Sequence, residues 1–170
     1  MFYPVALRIL RDGCAGGKKL RPNTFYYFVK GFEIGEDNIT CDDERIEDLL
    51  YNLVLNEENE SSPDITFSAI VGENGSGKST LVELYIRIIN NMGASLLGEI
   101  TTRQGMPHLH YIDGVYAELY FFNTSGKEKN LLRIAVQGRN VEIMKFTPRY
   151  HQNGMETVFI PDVSPIFDNE

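Results

Sequence analysis

The sequence predicts an α/β protein in which an apolar strand, a glycine-rich loop and a largely buried helix follow one another over residues 65 to 92. The run Ile65–Val71 is mostly apolar and is bounded by turn residues, which is typical of a buried central strand. Leu81, Leu84 and Ile88 belong to a wide apolar arc, which indicates a helix that is buried over much of its surface. Strand-like runs in the second half predict antiparallel β-structure beside this unit.

The part of the chain before the loop predicts a β-hairpin followed by a helix. Residues 3 to 11 alternate in part between apolar and polar positions, and residues 24 to 32 are rich in aromatic side chains, so both runs favour strands. Residues 42 to 55 have apolar side chains at the spacing of an amphipathic helix, which we expect as a helical insertion. Residues 56 to 63 read as a polar linker.

The part after the loop predicts a helix end and then a series of strands. Gly93 favours the end of the helix. Turn residues such as Gly138 and Arg139 separate the strand-like runs, so a meander is expected over about residues 110 to 160. The predicted strands are Gly114–Asn123, Asn130–Gln137, Asn140–Phe146 and a short last strand, Thr157–Ile160.

Composition limits the classes of protein to which the chain could belong. Its 170 residues favour one domain over residues 1 to 170. The net charge of −8 does not suggest a general nucleic-acid surface, although local basic spots leave nucleic acid possible as a partner. The two cysteines, Cys14 and Cys41, have no C-x-x-C neighbour and favour free thiols in a reducing cytoplasm. No apolar run reaches the length of about 18 residues that a membrane span needs.

The loop itself has the pattern G-x-x-x-x-G-K-[ST], matched by Gly72, Gly77, Lys78 and Ser79. Glycines let the backbone wrap so that N–H groups point at a phosphate, and the following helix directs its positive dipole end at the same anion. Lys78 can reach the β- and γ-phosphates as a mobile charge. The Ser79 hydroxyl can ligate Mg²⁺. The pattern therefore predicts binding of a nucleoside triphosphate, most simply ATP, with Mg²⁺.

The residues that fill the loop resemble the Walker A loop of the ABC and SMC/Rad50-like ATPases, including AAA-type ABC-like ATPases of bacterial defence systems. Those families favour an Asn-Gly-Ser-Gly-Lys-Ser-Thr core, and the matching stretch is Gly72, Glu73, Asn74, Gly75, Ser76, Gly77, Lys78, Ser79 and Thr80. The resemblance implies a P-loop NTPase fold, with the chain as the N-terminal half of an ATPase head and an antiparallel β-meander as a subdomain. It also implies a homodimer through such heads, a possible role in anti-phage defence or DNA metabolism, and a longer protein of which this chain is a part.

Hydrolysis in that class needs an apolar strand that ends in Asp-Glu, and the sequence offers only weak matches. Asp113 follows a short apolar run but precedes Gly114, and Asp162 follows Pro161. Ser164 or Asp168 could stand in for the glutamine that reaches Mg²⁺ in related heads. Binding without hydrolysis is therefore the expectation for the chain alone. A small P-loop kinase or GTPase, and a nucleotide-sensing module that does not hydrolyse, are the two alternatives.

Several other side chains could have a functional role, but a structural role is the simpler expectation for each. The base of the bound nucleotide could stack on an aromatic side chain near the N-terminus, and the candidates are Tyr3, Phe25, Tyr26, Tyr27 and Phe28. Arg8 and Arg11 could contact phosphates from the first strand. His108 and His110 are two residues apart, yet no third ligand is apparent for a zinc site that includes them or His151.

Overall fold

The computed structural model describes residues 2–12, 14, 20–42, 73, 76–98, 109–123, 130–150 and 156–162. These residues form eight strands and one helix. The strands are β1 (Phe2–Ile9), β2 (Phe25–Tyr27), β3 (Phe32–Ile34), β4 (Ile39–Asp42), β5 (Tyr116–Asn123), β6 (Asn130–Gln137), β7 (Asn140–Tyr150) and β8 (Glu156–Asp162). The helix is α1 (Lys78–Leu97).

All eight strands belong to one sheet in the order β2-β1-β5-β6-β7-β8-β4-β3. Every pairing between these strands is antiparallel. Only residues 28 to 31 connect β2 to β3, and such a stretch spans at most about 18 Å. A flat eight-stranded sheet would hold its two edges about 34 Å apart. The sheet must therefore curl until its edges approach each other, which gives it the shape of a half-barrel.

The curled sheet buries side chains on both of its faces, as β5 illustrates. Ala117, Leu119 and Phe121 point to the outer face, where α1 packs. Tyr120 and Phe122 point to the inner face, inside the curl. Since strands alternate their side chains between faces, a strand buried on both sides needs the nearly continuous apolar run that the sequence has here.

The helix α1 closes the outer face with one stripe of side chains. Leu84 and Ile88 are fully buried against the sheet, and Leu81 is 9% exposed. Burying such side chains stabilises the fold by about 1.5–3 kcal/mol each. Gly77 precedes the helix with φ 97°, and Gly98 follows it with φ 76°. These are backbone conformations that side chains with a Cβ rarely adopt.

The predicted elements are confirmed in kind where the structure describes them. The hairpin of β1 and β2, the helix after the loop and the strands of the second half are all present. Several boundaries differ. The second predicted strand divides into β2 and β3, and α1 continues through Gly93. The strand β7 continues past Phe146 to Tyr150, and β8 continues through Pro161. The strand β4 was not predicted. The predicted strand at residues 65–71 and most of the predicted helical insertion at residues 42–55 lie outside the described residues.

The predicted fold class is wrong. The described strands form one curled antiparallel sheet with a single helix, and not the central parallel sheet that a P-loop NTPase of the ABC/SMC class requires. The predicted antiparallel subdomain is instead continuous with the N-terminal strands, because β5 pairs with β1. The prediction relied on a loop of nine residues, whereas the sheet is determined by pairings between distant parts of the chain.

Candidate functional site

The glycine-rich loop leads directly into the first turn of α1. The structure describes Glu73 and the stretch from Ser76 to Thr80, while Gly72, Asn74 and Gly75 lie outside the described residues. The Ser76 N–H donates to the Glu73 carbonyl at 3.2 Å, and the Leu81 N–H donates to the Gly77 carbonyl at 2.9 Å. Gly77 has a left-handed backbone between these two bonds. The left-handed conformation of Gly77 thus leads the chain directly into the helix at Lys78.

Lys78 and Ser79 stand at this turn with different exposures. The Lys78 ammonium donates to the Glu73 carbonyl at 2.7 Å, so that the side chain folds back over the loop. Lys78 is half-buried, and the Ser79 side chain is exposed to solvent. A cation and a hydroxyl group are thus both placed at the beginning of the helix. Thr80 is half-buried next to them.

The start of α1 carries the electrostatic character of an anion site. Gly77 has no side chain with which to cap the first turn, and that turn contains no acidic residue. The N–H groups of the first turn have no acceptor within the helix and, with the helix dipole, give this end a partial positive charge, to which Lys78 adds a full one. An anion at such a position is stabilised by about 0.3–1 kcal/mol from the dipole alone.

A shallow surface cavity of about 480 Å³ begins at these residues and runs along the helix. It is lined by Lys78, Ser79, Val82, Glu83 and Ile86. Glu83 lies one turn after Ser79 and forms an ion pair with Arg87 at 2.6 Å. No group of three His, Cys, Asp or Glu side chains among the described residues could hold a metal ion. Among the described lining residues, Ser79 and Glu83 have side-chain oxygen atoms, which are the ligands that Mg²⁺ prefers.

The carboxylates weighed as water-activating groups lie elsewhere. Asp113 is in a turn with its side chain 76% exposed, and Arg139 contacts it at 3.3 Å. Asp162 is the last residue of β8, and Ser164 and Asp168 lie outside the described residues. Neither Asp113 nor Asp162 is among the described residues that line the cavity at Lys78 and Ser79.

The aromatic and histidine candidates have packing roles where they are described. Phe25 contacts Tyr27 and Tyr120 with ring centroids 5.9 and 6.0 Å apart. Phe28 packs edge-on against Tyr85 of α1 at 6.4 Å, while Tyr3 and Tyr26 pack against the two cores. His110 is exposed, and its carbonyl accepts a hydrogen bond from Asn90. His108 and His151 lie outside the described residues.

The two arginines of the first strand region are held by other side chains. Arg8 donates to the buried carboxylate of Glu118 at 2.7 Å, and its guanidinium also stacks on Phe25. Arg11 lies over the ring of Tyr116, 3.2 Å from its centroid. Neither arginine is among the residues that line the cavity at the loop.

A buried polar cluster on the inner face was not found from the sequence. Glu118 is 4% exposed and accepts hydrogen bonds from Arg8 and from the Tyr120 hydroxyl, the latter at 2.9 Å. Arg133 approaches it at 3.8 Å. Burial, followed by the negative charge of Glu118, raises the pKa of Tyr120 well above its usual value. Arg8 and Glu118 are far apart in sequence, so only the register between β1 and β5 reveals the cluster.

Comparisons with protein-family models, with curated proteins and with solved structures find no match to this chain. The fold therefore has to be assessed from the structure itself. The expectation that the chain belongs to the ABC/SMC-like ATPases is wrong, because the described sheet is antiparallel throughout. The features expected with that membership, namely a P-loop NTPase with a Walker A site, an AAA-type ATPase and a role in antiviral defence, are wrong with it. Within the described residues, no helix is long and apolar enough to cross a membrane.

Proposed function

We propose that this chain binds ATP together with Mg²⁺ and does not hydrolyse it. The observation that carries the proposal is the position of the Lys78 ammonium, 2.7 Å from the Glu73 carbonyl and at an uncapped helix start. A cation beside the N–H groups of a helix start is the arrangement that phosphate oxygens favour. The proposal concerns binding through the loop and does not depend on membership in an ATPase family.

The residues of the loop have separate roles in this proposal. Lys78 exchanges its bond to the Glu73 carbonyl for contacts with the β- and γ-phosphates. Backbone N–H groups at the start of α1 bind the same oxygens, and the exposed Ser79 hydroxyl contributes one ligand to Mg²⁺. No Asn-Lys-x-Asp motif for guanine occurs in the sequence, so ATP is the nucleotide that we propose and test.

The first test is nucleotide binding by a Lys78→Ala variant, measured by calorimetry with Mg²⁺ present. We expect affinity for ATP to fall by about 10- to 100-fold, because a charged hydrogen bond contributes about 1.5–3 kcal/mol. Lys30→Ala is the matched control, since Lys30 is an exposed lysine in the connection between β2 and β3. Equal ATP affinity in both variants would overturn the proposal, as would a folded wild-type protein that binds no ATP.

Two further measurements test whether Mg²⁺ contributes to ATP binding and whether the chain hydrolyses ATP. Ser79→Ala is expected to weaken ATP binding when Mg²⁺ is present and to change it little when the metal is chelated. Phosphate release from ATP by the purified chain should stay at the background rate. Robust hydrolysis by residues 1–170 would contradict the binding-only proposal.

A further inference from the structure

An apolar groove lies between α1 and the ends of β1 and β5. It has a volume of about 360 Å³ and is lined by Pro4, Tyr85, Ile86, Ile89, Met92 and Phe121. Ile86 in this lining is 59% accessible to solvent, and its neighbour Val82, one turn earlier on the helix, is 43% accessible. Contiguous exposed apolar surface of this kind commonly marks a binding site.

The groove and the cavity at the loop share one lining residue. Ile86 lines both depressions, and Val82 lies on the helix surface between Ser79 and Ile86. These residues follow the spacing of one helix stripe, and the rise of the helix separates Ser79 from Ile86 by about 10 Å. A ligand with its phosphates at Lys78 could therefore extend along α1 and place an apolar group in the groove.

We infer that the groove holds the base and ribose of the nucleotide whose phosphates bind at Lys78 and Ser79, an inference that rests on the proposed function. Small-molecule sites are mostly apolar, with a few polar groups that fix orientation, and the two depressions together have this composition. Ile86 and Ile89 offer flat aliphatic surface to a base, and Met92 offers an adaptable thioether. Phe28 packs edge-on against Tyr85 and holds that ring at the groove.

The lining also determines how well the site distinguishes bases. The described side chains of the groove include no charged or amide group, and the Tyr85 hydroxyl is the lining side chain best able to make a hydrogen bond. Strong discrimination between similar ligands requires hydrogen bonds that a wrong ligand leaves unpaired. The site therefore binds nucleoside triphosphates through their shape and apolar faces, with affinities for ATP, GTP, CTP and UTP within about tenfold of one another.

The test compares nucleotides with inorganic tripolyphosphate, which has the phosphates and lacks the base. Calorimetry with Mg²⁺ should show that wild-type protein binds ATP more tightly than tripolyphosphate. Ile89→Ala should weaken ATP binding by about five- to tenfold, because side-chain carbons that pack on the base are lost. It should leave tripolyphosphate binding unchanged, since Ile89 lines the groove and is not among the described residues that line the cavity at Lys78. Leu97→Ala is the matched control, since Leu97 is 71% exposed on the same helix and is not among the residues that line the groove.

The possible outcomes separate this inference from the proposed function. If tripolyphosphate and ATP bind equally well, and Ile89→Ala affects neither, the groove is not the base site while the phosphate site stands. If neither ligand binds to the folded protein, both proposals fail. A preference of more than about 100-fold for one base would overturn recognition by apolar contact alone. Alanine favours helices, so circular dichroism should show both variants folded.

Discussion

Among single residues, Tyr120 is the side chain on the inner face of the sheet whose ionisation should make the stability of the fold depend on pH. Its ring is 3% exposed, and its hydroxyl donates to the buried Glu118 carboxylate at 2.9 Å. Burial and the nearby negative charge both oppose formation of a tyrosinate, so the pKa of Tyr120 is raised. Burial likewise raises the pKa of the Cys14 thiol on the outer face. Both groups remain protonated in the folded state at pH values where they ionise in the unfolded chain.

We therefore expect the free energy of unfolding to decrease in alkaline solution. A raised folded-state pKa gives full stability below the unfolded value, which is about 10 for tyrosine, and stability is lost above it. Tyr120 alone should cost about 1.4 kcal/mol between pH 8 and pH 11. Urea denaturation across this range measures the loss. Tyr120→Phe should be less stable at pH 8, because Glu118 loses a hydrogen bond, yet should lose less stability by pH 11. An unchanged alkaline slope in that variant would contradict this assignment.

Some residues of the candidate site can be predicted from the sequence, and others cannot. Gly77, Lys78 and Ser79 are neighbours in the chain, so their spacing alone predicts a phosphate loop. The Arg8–Glu118 pair joins strands that are distant in sequence and depends on a register that no local pattern encodes. The exposed apolar residues of the groove were visible as a wide apolar arc, but the sequence could not show which of them the sheet leaves uncovered.

Among the elements, α1 is fixed to the chain after it by two adjacent amides. Asn91 is completely buried, and its side chain makes two hydrogen bonds to the backbone of Ile112, at 2.8 and 2.9 Å. The Asn90 side chain donates to the His110 carbonyl at 2.6 Å. Leu109 packs within 3.6 Å of the position that a Cβ on Gly93 would occupy. This packing explains why the helix continues to Leu97, although Gly93 costs about 1 kcal/mol in a helix interior.

Replacing Asn91 by alanine should therefore destabilise the whole domain. The variant loses both bonds and leaves the Ile112 N–H and carbonyl without their partner, so a cost of about 2–4 kcal/mol is expected. Asn90→Ala is the matched control, because its bond lies at an exposed site where water can replace the amide, and it should cost less than about 1 kcal/mol. Urea denaturation of both variants at neutral pH gives the comparison. Equal losses in the two would show that the buried amide does not anchor the helix.

At the scale of the whole molecule, the chain shows why correct elements can accompany a wrong fold class. The meander β5 to β8 joins neighbours in sequence, and its turns and alternation predict it well. The position of β1 beside β5, and of β4 beside β8, joins segments that are distant in the chain. A glycine-rich loop before a helix is a local feature that several sheet arrangements can carry. The loop therefore led to the prediction of a parallel sheet, whereas the strands that pair over long distances in the chain are antiparallel.

The curled sheet also predicts where the molecule is most sensitive to a single cavity. Phe159 of β8 is fully buried, and its ring packs edge-on against Phe122 with centroids 6.0 Å apart. Its strand pairs with β4 on one side and β7 on the other. The edge strand β3 and its neighbour β4 are thus attached to the rest of the sheet through β8.

Phe159→Ala should therefore destabilise the fold by about 3–5 kcal/mol, the range for removing a buried aromatic ring. The control is Val158→Ala on the same strand, where the side chain is only half-buried and a loss below about 1.5 kcal/mol is expected. Since the chain has no tryptophan, tyrosine fluorescence can report packing while far-UV circular dichroism reports the sheet. The two signals should change together in the wild-type protein, because one continuous sheet links all the described strands and unfolds as a unit. Separate transitions, or a Phe159→Ala variant as stable as the Val158→Ala control, would show that the inner face does not hold the curl together.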